Sequence, residues 1–213
     1  IHTRKDTEKE RQRYNNHIKY FIGHKDINEL STKDIEKIKF SKMDKLADNY
    51  VNQLIFMIST IIRNSIKKGI FKNPNPAQHI DNIKVDNKRE RYLTKSEIKE
   101  LLEKLKNLPE LLLFTKLSLN TGGRLNTILS IQKKDLNLEH NSVTLTDHKN
   151  VCTYTGYYDD ELKYYLKNNI ENLYPNDNII KYHQVTLSNK LRKILNELFN
   201  KGLDEDDRKN RVV

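Results

Sequence analysis

The residues of this chain best suited to chemistry lie together at Thr121-Gly122-Gly123-Arg124. An apolar run, Leu111 to Leu119, ends there, and a second stretch, Leu125 to Ile131, starts directly after it. Arginine is costly to bury unless an anion meets it, and its flat fork suits a phosphate bidentately. The same four residues also fit a glycine helix stop followed by an arginine that caps nearby carbonyls. A second cation, Lys149, sits in the turn Asp147-His148-Lys149-Asn150 between two β-rich runs. Taken alone it reads as a solvated turn lysine. No tyrosine among the eleven is singled out by its neighbours, and Tyr154, Tyr157 and Tyr158 are explained by cross-strand packing. One cysteine, Cys152, excludes an internal disulfide and a cysteine-based zinc site. The seven histidines never pair at i, i+4 beside a carboxylate. No metal or other cofactor is expected.

The elements that must position these residues are mostly helical. Thr7 to Ile22 fits a basic amphipathic helix with Tyr14, Ile18 and Phe21 or Ile22 on one side. Ser31 or Thr32 is placed to cap a second helix, with Ile35 and Ile38 following at helical spacing. A third runs from Asp44 to Lys68, with Leu46, Tyr50, Leu54, Met57, Ile58, Ile61, Ile62 and Ile66 as its apolar face and Gly69 as its end. Asn73-Pro74-Asn75-Pro76 must break it. Residues 81–91 are polar, lack helical period and read as a linker. Thr94 and Glu97 form a capping box for a helix to about Leu105. After the two apolar helices, residues 141–146 and 151–158 form a hairpin or small meander. Helices return at Asp160–Leu166 and Ser188–Asn200, before an acidic loop at Asp204-Glu205-Asp206-Asp207. The expected architecture is mainly α with a small antiparallel β-sheet, in two domains: 1–88, with its linker from about residue 81, and 89–213.

Charge points to the partner. The 213 residues hold 39 Lys and Arg against 29 Asp and Glu, a net of +10. The excess is uneven: residues 1–88 carry 18 basic and 11 acidic groups, a net of +7, and residues 89–213 carry 21 and 18, a net of +3. A polyanion is therefore expected to meet the first part. A membrane is not the expected partner, because no stretch approaches about 20 uninterrupted apolar residues and no basic helix has a wide aromatic face. On the third helix the polar side mixes Lys and Arg, which bind phosphates, with Asn and Gln, which read adenine edges. Lys42, Lys45, Asn49, Asn52, Gln53, Arg63, Asn64 and Lys67 are its members. There is no signal peptide, which points to the cytoplasm. The chain starts at Ile1 and ends on the apolar Arg211-Val212-Val213, and is read as a fragment cut in mid-element.

The order of parts carries a resemblance. A small basic helical domain ends in Asn75-Pro76-Ala77; a linker leads to Arg91-Tyr92-Leu93-Thr94; then come a helix, Thr121-Gly122-Gly123-Arg124 and a hairpin with Lys149 at its turn. This resembles the tyrosine recombinases, the phage-type integrases and Xer chromosome-dimer resolvases, over nearly the whole chain. The Thr-Gly-Gly-Arg variant and the Asp-His-Lys-Asn turn look like the single-recombinase XerH type. The resemblance implies a core-binding domain and a catalytic domain closing around duplex DNA as a C-shaped clamp. It implies site-specific recombination through a 3′-phosphotyrosyl link, on an inverted-repeat site, with neither metal nor ATP. It implies Arg124 on the scissile phosphate, where the glycines allow close backbone approach, and Lys149 as the general acid for the leaving 5′ oxygen. Implied partners are double-stranded DNA, further copies in a tetrameric synapse, and a DNA translocase as activator.

Two departures stand out. Many relatives carry an acid three positions after the arginine; here Thr127 stands there, so that helper contact is missing or replaced by the Thr127 hydroxyl. None of the seven histidines has an arginine three residues later, so the family's His-x-x-Arg box, second arginine and nucleophilic tyrosine are expected past Val213. The catalytic domain is thus expected to be partial, binding DNA without cleaving it. The alternatives are a non-catalytic module that occupies recombination sites, and a helical scaffold for acidic proteins.

Overall fold

The computed structural model describes residues 7–86, 90–147, 150–205, 207 and 209–212. The chain divides into two units, Ile1–Asn87 and Lys88–Val213, each with its own core. The described elements are mainly helical, with one small antiparallel sheet. Among the described residues no helix is long and apolar enough to cross a membrane.

The first unit holds α1 (Thr7–His17), α2 (Lys19–Ile22), α3 (Thr32–Met43) and α4 (Asp48–Lys67). The helix expected over 7–22 is interrupted at Ile18, whose φ of −116° departs from the helical value while its ψ of −46° stays in the α region; Ile18 is fully buried with Ile35 and Ile38. Of the two caps expected for α3 the structure selects Ser31, which accepts from the Asp34 N–H while the Asp34 carboxylate accepts from the Ser31 N–H at 3.1 Å. The next helix starts at Asp48 rather than Asp44, so Lys42 belongs to α3. Its buried residues are Val51, Leu54, Ile55, Ile58 and Ile62. Ile61 and Ile66, expected in the core, flank that arc and are exposed. Asn75 secures the proline break: its Nδ2 donates to Ser59 Oγ at 2.9 Å and its Oδ1 accepts the Ala77 N–H at 3.0 Å. Asn52 is not on the open face. Its side-chain amide pairs with both the N–H and the carbonyl of Ile83, each at 2.9 Å, and ties the segment after the break to α4.

The second unit holds α5 (Lys95–Lys104), α6 (Pro109–Thr121), α7 (Leu125–Leu129), β1 (Leu136–Asn137), β2 (Ser142–Asp147), β3 (Cys152–Tyr157), α8 (Asp160–Asn169) and α9 (Gln184–Phe199). Thr94 and Glu97 form the expected capping box at the start of α5. All residues from Leu111 to Leu117 on α6 are buried, as fits a helix that is apolar nearly all round. Even Lys116 is buried, and it pairs with Glu161. The strands form an antiparallel meander in the order β1-β2-β3, with Val143 opposite Gly156, Leu145 opposite Tyr154 and Asp147 opposite Cys152. Alternation sends Val143, Leu145 and Asp147 inward from β2. Tyr158 is buried, donates to the Asn137 carbonyl at 3.0 Å, and is held by burial above the usual phenol range, which fits a packing role.

Two capping carboxylates make an acid-sensitive pair. Lys25, and then Ser31, hold Asp34 down at about 2, and Arg91, with Thr94, holds Glu97 at about 2. A depressed folded-state value means stability present above the ordinary carboxylate range and lost as protons bind. Both units should therefore lose melting temperature between about pH 4 and pH 2. Asp34→Asn and Glu97→Gln together should flatten that slope in circular dichroism melts. An unchanged slope would assign it to other carboxylates.

Candidate functional site

The Thr121–Arg124 turn is built by three close approaches. Gly122 takes a left-handed conformation (φ +63°) and its N–H returns to the Ser118 carbonyl at 2.9 Å, so the glycine helix stop is real. Thr121 Oγ1 donates to the Leu117 carbonyl at 2.7 Å and accepts the Gly123 N–H at 3.2 Å. At Gly123 a Cβ would lie 2.5 Å from Cδ1 of the fully buried Ile128, so any larger residue must displace that side chain. On the facing strand, a Cβ at Gly156 would lie 2.9 Å from Thr121 Cγ2 and 2.9 Å from Leu145 Cδ1. The two glycines bring the α6–α7 turn, α7 and β3 together more tightly than any side chain allows.

Arg124 sits at the N-cap of α7 with extended backbone (ψ 153°), and its carbonyl accepts the Ile128 N–H at 2.9 Å. The side chain does not cap carbonyls. Its Nη1 donates to Asp147 Oδ2 at the inner end of β2. The Arg124 side chain is 58% exposed and that of Asp147 is 6% exposed, so the arginine reaches from solvent down to an interior carboxylate. Asp147 Oδ2 also accepts from Asn150 Nδ2 at 2.9 Å, across the hairpin turn. Thr127 is buried on α7, and the carboxylate contact comes from Asp147 instead. Lys149, the expected general acid, lies outside the described residues, as does His148. Its neighbours Asp147 and Asn150 are in place on either side.

Past that turn Val151 adopts φ +52° and is 90% exposed. A β-branched residue is strained there. Val151→Asn, a residue that tolerates this conformation, should raise stability by about 1 kcal/mol in urea unfolding. No gain would mean that the hairpin turn relaxes around either residue.

In the first unit the expected DNA contacts separate into three places. Lys42 lies on α3 over the Phe21 ring at 5.4 Å. Lys45 is exposed in the α3–α4 connection. Asn49, Gln53, Asn64 and Lys67 share one exposed stripe of α4, with Arg63 beside it. The stripe also carries Phe56, 67% exposed, which sequence reasoning missed. Phe56 stands between two clefts. One, of about 490 Å³, includes Arg11, Arg13, Gln53 and Asn64; the other, of about 750 Å³, includes Arg63, Lys72, Asn75 and Gln78. Arg11 and Arg13, on α1, add two cations that the sequence reading did not include among its candidates.

Comparison with known proteins places this architecture. No family model matches the sequence. The fold is that of integrases solved on DNA. The Tn1549 transposon integrase in complex with transposon right end DNA aligns with TM-score 0.78 and 14% identity, over 96% of this chain and 76% of that one. A lambda integrase (75–356) dimer bound to a COC′ core site aligns with TM-score 0.71 and 15% identity, over 90% and 74%. In sequence, the tyrosine recombinase XerA of Saccharolobus solfataricus is 30% identical over 111 residues, 52% of this chain. The matched part spans 38% of that relative's length. The chain thus shares its fold with these integrases over most of its length, and is similar in sequence to a tyrosine recombinase over about half.

Proposed function

We propose that these 213 residues are the DNA-gripping part of a site-specific recombinase that cleaves and rejoins DNA through a 3′-phosphotyrosyl intermediate. The observation that carries this reading is the Thr121–Arg124 turn: a glycine-built close approach presenting a half-open arginine beside a hairpin, in a fold shared with integrases solved on DNA. Residues 1–88 act as the core-binding domain, using Lys42, Lys45, Asn49, Gln53, Arg63, Asn64 and Lys67 on the duplex. Residues 89–213 act as a partial catalytic domain, in which Arg124 holds the scissile phosphate and stabilises charge in the transition state. Lys149 protonates the leaving oxygen.

The target is a short inverted-repeat site, bound by several copies. A lambda integrase has been solved as a tetramer on a Holliday junction, which supports this assembly. The Thr-Gly-Gly-Arg and Asp-His-Lys-Asn signatures favour an XerH-type task in the cytoplasm: chromosome-dimer resolution with a DNA translocase as activator.

Selection of bound duplexes from a random pool tests the reading. Recovery of an inverted repeat with a short central spacer supports it; recovery of no preferred sequence would overturn it. A second reading is a module that occupies recombination sites without cutting. Incubation of the 213-residue chain with the selected duplex should then give binding but no covalent adduct. An adduct on denaturing gels would place the nucleophile within these residues.

A further inference from the structure

We infer that Asp147 is the positioning residue for Arg124, so that the guanidinium meets a phosphate already oriented. This rests on the reading of Arg124 as a phosphate ligand. Asp147 belongs to the inward face of β2 with Val143 and Leu145, where a carboxylate is out of place unless something needs it. What it meets is Arg124, from the α6–α7 turn, and Asn150, from the hairpin turn, both on the single atom Oδ2. One interior oxygen therefore links the two loops to which the chemistry is assigned.

The geometry leaves the arginine usable. A guanidinium has five N–H donors in a rigid fork. Asp147 takes one through Nη1, and among the described residues Arg124 has no other side-chain partner. The side chain remains 58% exposed, so a bidentate edge is still open to an anion. The position three after the arginine is filled by buried Thr127, which carries no charge. The structure assigns the carboxylate's task to β2, 23 residues away in sequence. Fixing a long, rotamer-rich side chain before binding is worth about 2- to 10-fold in affinity.

Two measurements on the full 213-residue chain test this. In arginine-15N-labelled protein without DNA, the Arg124 Nε–Hε group should be ordered, and in Asp147→Asn it should become as mobile as that of exposed Arg11. Equal order in both chains would overturn the assignment. The second is a double-variant cycle on a fluorescent duplex recovered by the selection above. Arg124→Ala should weaken binding, and the loss should be about 2- to 10-fold smaller when Asp147 is already Asn. The cycle cancels the charge that Asp147→Asn adds to both arms. An equal loss in both backgrounds overturns the positioning role and leaves the phosphate grip standing. A larger loss in Asp147→Asn means that Asp147 competes with phosphate, which also overturns it. No loss in either background removes the grip, and the positioning role with it. Should Arg124→Ala not fold, Arg124→Lys takes its place, keeping a charge beside Asp147 while losing the fork.

Discussion

Arg124→Ala should destabilise the second unit by about 2–4 kcal/mol, and Asp147→Asn placed on top should restore most of that loss. The asymmetry of burial sets the direction. Asp147 is an interior carboxylate and Arg124 is its exposed partner. Removing the arginine leaves a desolvated charge, and breaking a fully buried pair in that way costs about 3–5 kcal/mol. The figure here is lower because Asn150 still donates to Asp147 and because Arg124 was itself largely hydrated. Asparagine at 147 removes the charge at constant shape, so the double variant should be more stable than Arg124→Ala alone. Urea unfolding followed by circular dichroism reads the total, since the chain has no tryptophan. Hydrogen exchange along β2 assigns the loss to the second unit. If the double variant were no more stable than Arg124→Ala, Asp147 would not depend on Arg124 for its burial.

Gly123→Ala should cost about 1–3 kcal/mol, the range for forcing a methyl group into a packed interior. The added Cβ would lie 2.5 Å from Ile128 Cδ1 and 3.1 Å from its Cγ1, and Ile128 is completely buried. Ile128→Val removes the nearer atom, so Gly123→Ala/Ile128→Val should recover part of the loss even though Ile→Val alone costs about 0.5–1.5 kcal/mol. Gly122→Ala meets nothing within 4 Å and is opposed only by its left-handed backbone, so it should cost about 1 kcal/mol with no rescue from Ile128. Thermal melts of the four chains decide it. Equal losses at the two glycines, or no gain from Ile128→Val, would show that the turn is held by its backbone rather than by contact with α7.

What the sequence made legible was local. The Ser31 cap (one of the two residues offered there), the Thr94–Glu97 box, the Gly122 stop and the proline break all depend on residues within four positions of each other, and the structure has each of them. The β2–β3 hairpin followed from two β-rich runs around an obvious turn, whereas the short strand β1, Leu136–Asn137, was not singled out. What stayed hidden depended on distant partners. Ile18, where α1 gives way to α2, packs in a core with Ile35 and Ile38 of α3, and the start of α4 is shifted from the expected Asp44 because its cap, Ala47, has no side-chain hydrogen bond to advertise it. Asn52 looked like a base reader but is taken by Ile83. The Arg124–Asp147 pair spans 23 residues, though Ser142-Val143-Thr144-Leu145-Thr146-Asp147 held a signal: its alternation puts a carboxylate on the apolar face.

That alternation ties the site to the pairing of the strands. A one-residue slip of β2 would turn Asp147 out to water together with its whole face. A slip of β3 would replace Gly156, the one residue that fits against Thr121, with a residue bearing a side chain. Either error strips Arg124 of its counter-ion or pushes its turn away from the sheet. The phosphate grip proposed for Arg124 is thereby conditional on correct strand registry, and a misassembled copy would be disarmed by its own misassembly.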